Sequence, residues 1–162
     1  MSQGNYLLKV EIDTQNGPLI SPEMQQEQRV AIYDLLASNS FCLLNKSGEE
    51  NKDGPYQLYV SINSGRLSFN IASSEGEQLA EFQLSLTPFR DLIKTYFRIC
   101  DLYYDAVKKH TRSRIETIDM TRRNIHDEGA ELLRQRLKGK VIFDRDTARR
   151  LFTLVCVLQV KR

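Results

Sequence analysis

The sequence predicts an α+β fold: a small antiparallel sheet, formed by an N-terminal strand and a three-stranded meander, packed on one face by helices, with a helical C-terminal half. Two observations carry this. Between Leu58 and Leu86 three segments alternate apolar and polar residues, placing Leu58, Val60 and Ile62, then Leu67, Phe69 and Ile71, then Phe82, Leu84 and Leu86 on one side. From Thr87 onward the apolar spacing changes to three and four residues, the period of an amphipathic helix.

The elements follow in order. Tyr6 to Ile12 is short, rich in aromatic and aliphatic residues and followed by Asn16-Gly17-Pro18, so it reads as a strand at the sheet edge. Ser21 offers an N-cap, Pro22 suits a first helical turn and Glu23 favours the helix dipole, predicting a helix to about Ala37 with Val30, Ile32, Tyr33, Leu35 and Leu36 as its apolar face. Asn45 to Pro55 is polar, charged and broken by glycines, the composition of a mobile loop. The breaks Asn63-Ser64-Gly65 and Ser74-Glu75-Gly76 read as hairpin turns of the meander. Thr87 and Pro88 repeat the cap-then-proline device ahead of a long helix carrying Phe89, Leu92, Ile93, Tyr96, Phe97, Cys100, Tyr103, Tyr104 and Val107. A second helical pattern runs from about Ser113 through Leu137, with a possible break near Asn124 and Gly139 placed to end it. The last segment starts at two candidate caps, Asp144 and Asp146, and becomes apolar on nearly every side; a core helix is the reading, with a strand as the alternative because periodicity does not separate them in so short an apolar run.

Length and composition bound the function classes. A chain of 162 residues with 41% hydrophobic and 27% charged residues has the balance of one folded globular domain spanning residues 1–162. The N-terminal stretch lacks the basic and long apolar segments of a secretion signal, and the longest apolar run, Leu154 to Leu158, is far too short to span a membrane. Cys42, Cys100 and Cys156 are odd in number and set among apolar residues, as buried free thiols are; with them a cytoplasmic location is expected. Residues 1–86 carry 5 Lys/Arg and 11 Asp/Glu, a balance of −6, and residues 87–162 carry 18 and 10, a balance of +8, so the basic charge gathers in the helical half.

Within that half, the segment Ile118 to Gly129 is the most informative. On one helix, Ile115, Ile118, Ile125, Leu132 and Leu133 share an arc, and Arg122 falls inside it. A guanidinium aimed at the core requires a carboxylate from elsewhere in the fold, a bound anion, or a helix break that returns it to water. His126 lies beside the arc, four residues after Arg122 and seven after Asp119, an arrangement suited either to acid–base work or to a hydrogen-bonded structural node. Arg145, Arg149 and Arg150 enter the final helix, either solvated, paired with Asp144 and Asp146, or sharing an anion pocket with Arg122. The candidate ligand- or anion-binding set is therefore Arg122, Arg123, His126, Arg149 and Arg150. Arg90, Lys94 and Arg98 line one face of the long helix near its positive end and call for compensation by acidic residues or solvent. Lys108 to Arg114 is a basic run without the interleaved aromatics that stack on bases. His110 is the only other histidine and no ligand pair has zinc-like spacing, so no metal and no cofactor are expected. Nucleophile elbows, phosphate-cradling glycine loops, Cys-x-x-Cys pairs and dinucleotide fingerprints are missing, so no catalytic residue is assigned and an enzyme is not favoured.

Several strings taken together, RVAIYDLL (Arg29 to Leu36), NSF (Asn39 to Phe41), LSLTPFR (Leu84 to Arg90), IDMTRRNIHDEG and DTARRLFTLVCVL (Asp146 to Leu158), resemble an alphaproteobacterial family catalogued as uncharacterised protein family 0262. The resemblance covers about residues 6–160 and implies a bacterial cytosolic protein with no assigned activity, cofactor or catalytic residue. Asn45 to Pro55 and the QVKR ending look like local variation, which argues against a site there. The leading functional reading is a non-enzymatic binding or regulatory module that self-associates or meets a protein partner through the polar sheet face or the long helix, whose tyrosines broaden its apolar surface. The alternatives are an enzyme or sensor for a phosphorylated small molecule held by the Arg/His set, and an RNA- or DNA-binding protein using the basic half.

Overall fold

The computed structural model describes residues 4–13, 21–109 and 111–159; the Asn16-Gly17-Pro18 break and His110 lie outside them. The meander forms as expected from β3 (Tyr56–Asn63), β4 (Arg66–Ser73) and β5 (Gln78–Ser85). Ser64 and Gly65 take φ of 53° and 75°, the left-handed pair of a two-residue hairpin turn, and Gly76 has φ of 88° in the next turn. Val60 faces Phe69 and Phe69 faces Phe82, so one row of apolar side chains crosses the sheet toward the core.

The N-terminal strand β1 (Leu7–Ile12) takes the predicted edge, in the order β1-β3-β4-β5. Its direction departs from the antiparallel expectation, because β1 runs parallel to β3 and the sheet is mixed. Strand direction follows from the connection: the chain leaves β1, passes through α1 (Pro22–Ala37) and β2 (Phe41–Leu43), and so re-enters the sheet in the same sense, as a crossover does. A second, two-stranded sheet pairs β2 with β6 (Val141–Phe143), stacking Phe41 on Phe143 at 6.1 Å. Sequence reasoning missed it, since three-residue strands are too short to show a period. The polar Asn45–Pro55 excursion folds back on β2, with Asn51 donating its backbone N–H to Leu43 (2.8 Å).

Ser21 Oγ caps α1 by accepting from Met24 N at 3.1 Å, as predicted. The buried stripe is narrower than the predicted apolar face: Met24, Ala31 and Leu35 are buried while Val30, Tyr33 and Leu36 are exposed. Those residues spread around most of the helix, and only one side meets the core. The long helix also starts differently. Thr87–Phe89 is a single tight turn closed by Phe89 N–H to Leu86 C=O (2.9 Å), Thr87 supplies no cap, and α2 runs from Arg90 to Lys109. Arg90, Lys94 and Arg98 are all exposed, which leaves solvent as their compensation among the described residues. The tyrosines do not form an exposed patch: Tyr96 is fully buried, and Arg122 lies over the Tyr103 ring at 4.3 Å.

Helix α3 (Arg112–Arg136) is continuous through Asn124, and Gly139 beyond it has φ of 83°. Helix α4 (Arg145–Leu158) is the core helix, capped by Asp144 Oδ1 on Thr147 N (2.8 Å), with every residue from Leu151 to Val157 buried. It packs on both α1 and α3 and against β3. The approach of α3 to α4 requires Gly129, because a Cβ there would lie 2.5 Å from the Phe152 ring. Cys42, Cys100 and Cys156 are free and buried. No helix among the described residues is long and apolar enough to cross a membrane.

Candidate functional site: a cleft between α1, α3 and α4

Because α4 is held between α1 and α3, the first two turns of α4 floor a cleft that the other helices wall. Helical spacing selects its lining: Glu27, Val30, Ala31 and Asp34 from α1, Arg122, Arg123 and His126 from α3, and Asp146, Arg149, Arg150 and Thr153 from α4. All five residues of the sequence-derived set therefore meet around one space of about 240 Å³. Arg145 is exposed and lies outside that lining.

The five play different parts. Arg122 has the carboxylate partner from elsewhere in the fold that its position demanded. Its Nη1 donates to Glu27 Oε1 at 3.3 Å and its Nη2 to Asp119 Oδ1 at 2.9 Å. Only 19% of its side chain is exposed, against 13% for Glu27. Burial weakens the protonated guanidinium, but Glu27 and Asp119 outweigh that effect and hold the charge more firmly than usual. Glu27 Oε1 also accepts from Tyr96 Oη at 2.7 Å and from Cys100 Sγ at 3.6 Å, so one carboxylate joins α1, α2 and α3. Arg122 Nε remains buried without an acceptor.

His126 stands one helical turn before Gly129, the glycine on which the Phe152 ring of α4 sits. His126 Nε2 and Thr153 Oγ1 share a hydrogen bond of 3.1 Å, and Thr153 Oγ1 also reaches Arg149 C=O at 3.1 Å. The imidazole sits against the Tyr96 ring at 5.1 Å and the Phe152 ring at 6.4 Å. Burial, then the neighbouring charges of Arg122 and Arg149, push its pKa down from 6.5 to about 4, so it is neutral at physiological pH. It bonds Thr153 rather than Asp119, which is occupied by Arg122 and Arg123, so its hydrogen bond ties α3 to α4. The thiols are likewise quiet. Burial and then Glu27 push Cys100 up to about 12, and burial, with Cys100 and Glu27, raises Cys156 well above its usual value.

Arg149 and Arg150 are held loosely. Arg149 lies 3.4 Å from Asp127 and 3.7 Å from Asp146, and Arg150 lies 3.9 Å from Asp34. These exceed the roughly 2.7–2.9 Å of a committed charge-assisted bond, and Arg149 Nε makes none despite its burial. A third of each side chain is exposed, whereas Arg123 is 69% exposed and rests on Asp119 at 3.1 Å. Glu27, Asp34 and Thr153 were not singled out from sequence. Glu27 had a signal: it falls on the Met24, Ala31, Leu35 stripe of α1, a carboxylate aimed at the core as Arg122 is.

Comparison with known proteins places this arrangement in a family. The sequence matches Uncharacterised protein family (UPF0262) over residues 4–161. It is 53% identical over 153 residues to a UPF0262 protein of Jannaschia sp. (strain CCS1), covering 94% of this chain and 96% of that one. It is 51% identical over 159 residues to a UPF0262 protein of Paracoccus denitrificans (strain Pd 1222), covering 98% of each, and 52% identical over 149 residues to UPF0262 protein SPOA0072 of Ruegeria pomeroyi, covering 92% of each. No solved structure matches the chain. The fold with its cleft of arginines thus belongs to a chain that is a member of the UPF0262 family.

Proposed function

We propose that this chain is a small non-enzymatic binding module, one domain acting in the bacterial cytoplasm, that recognises an anionic group, phosphate or carboxylate, in the α1–α3–α4 cleft. The observation that carries the reading is the pair Arg149 and Arg150, which line one cleft yet hold their carboxylates only at 3.4–3.9 Å. An anion entering between them exchanges long contacts for charge-assisted, bidentate ones. Arg122 is committed to Glu27 and Asp119 and acts as scaffold beneath them. A space of about 240 Å³ suits one anionic group rather than a whole nucleotide, since ligand pockets commonly run to about 300–1,000 Å³. Recognition is favoured over chemistry because His126 is neutral and locked on Thr153 and the nearby thiols are raised. Three buried free cysteines and bacterial relatives support the cytoplasmic placement.

The test is a titration of the full chain with inorganic phosphate and with acetate at low ionic strength, followed by calorimetry and by NMR of the arginine side chains. Saturable binding that Arg149→Ala combined with Arg150→Ala abolishes, and Arg134→Ala leaves intact, is the expected result. No saturable binding of either anion, or binding that survives the double substitution, refutes the reading. A second reading, contact with nucleic acid, draws on the exposed Lys108, Lys109, Arg112 and Arg114 around the α2–α3 corner; gel shifts at two ionic strengths test it through the steep salt dependence of phosphate contacts.

A further inference from the structure

Strand β5 is one edge of the four-stranded sheet, with no strand beyond it among the described residues. The two-residue Ser64–Gly65 turn makes Asn63 and Arg66 a hydrogen-bonded pair, and alternation from there turns the backbone groups of Leu67, Phe69 and Ile71 toward β5. Their partners Leu84, Phe82 and Ala80 point inward in return, so Glu81, Gln83 and Ser85 direct their N–H and C=O groups outward. All three residues are exposed.

The two edges of the sheet are treated differently. On β1, Asn39 accepts from Leu7 N at 2.6 Å and donates to Leu7 O at 3.1 Å, filling the place of a further strand. Lys9 and Glu11 add charges there. Such devices keep an edge from pairing. Strand β5 has a register shift only at its start, between Gln78 and Ala80, and across its eight residues carries Glu81 as its single charge and no lysine, arginine or proline.

We propose that β5 pairs antiparallel with β5 of a second copy about a twofold axis, joining the two sheets into one. This goes beyond the anion-binding reading and does not involve the cleft. Charge selects the register. A twofold centred on Glu81 would set two carboxylates face to face, which is unfavourable. Centred on Phe82, it sets each Glu81 against Gln83 of the copy, whose amide already donates to Glu81 within the chain at 3.4 Å, and lays the two Phe82 rings side by side on the helix-covered face. A self-complementary patch about a twofold is the commonest way soluble chains form closed assemblies.

The experiment is sedimentation equilibrium of the full chain from micromolar to millimolar concentration, where twice the 18.8 kDa chain mass is expected. Gln83→Pro removes an outward N–H, a substitution an edge strand tolerates, and should give a monomer with unchanged far-ultraviolet circular dichroism. Gln83→Glu places like charges opposite each other twice across the axis without altering the inward hydrogen bonds, and should raise the dimer dissociation constant about tenfold; it decides the matter alone where the proline variant fails to fold. A wild-type chain that stays monomeric throughout, or a dimer whose dissociation constant Gln83→Glu leaves unchanged, overturns the proposal.

Discussion

Acidification should weaken this fold through His126, and the size of the effect follows from where the ring sits. In the folded chain its pKa lies at about 4 rather than 6.5, because burial and the charges of Arg122 and Arg149 disfavour the imidazolium. In the unfolded chain the ring regains the ordinary value, so between the two the unfolded state binds the extra proton. The stability contributed by keeping His126 neutral is therefore complete above about pH 6.5 and is lost progressively as the pH falls toward 4. At about 1.4 kcal/mol for each tenfold change in proton affinity, the gap between 6.5 and about 4 corresponds to about 3 kcal/mol. The assay is urea unfolding at a series of pH values for the wild type and for His126→Gln, whose amide can hydrogen-bond Thr153 but does not titrate. The difference between the two curves should change by about 3 kcal/mol across that window, and an NMR titration should show one of the two histidines staying neutral to below pH 5. Parallel stability curves, or two histidines that both titrate near 6.5, would refute the reasoning.

Two further outcomes rest on the packing beneath the cleft. Glu27→Ala removes the carboxylate shared by Arg122, Tyr96 and Cys100; it should cost about 3–5 kcal/mol because a largely buried guanidinium loses a partner, whereas Arg123→Ala on the exposed side of Asp119 should cost no more than about 1 kcal/mol, both read as shifts of the urea midpoint at constant slope. Gly129→Ala should destabilise by about 1–3 kcal/mol despite the better helix propensity of alanine, because the new methyl meets the Phe152 ring; unchanged or raised thermal stability would show that Phe152 moves aside freely.

The meander, the caps at Ser21 and Asp144, the core character of α4 and the buried thiols were legible because each depends on residues within a turn or a strand of one another. So was the demand Arg122 makes, since a charge inside an apolar arc is a local fact. What answers that demand is not local. Glu27 stands 95 residues away from Arg122 and reaches it only because α1 and α3 both pack on α4. The same packing covers Tyr96, which α2 alone would have left on a broad aromatic face, and brings Arg149 and Arg150 to the space that Arg122, Arg123 and His126 also line. The parallel course of β1 and the small β2–β6 sheet likewise depend on where long connections return the chain. By itself, then, the sequence determined the meander, the helices α1 to α3 and the demand for a partner at Arg122, because periodicity and capping act over a few residues; the three-residue β2 and β6 and the choice between helix and strand for the last segment lay beyond that reach. Only the tertiary structure decided which partner answers Arg122 and that Arg122, Arg123, His126, Arg149 and Arg150 share one cleft, because helix-on-helix contact sets distances that no spacing along the chain encodes.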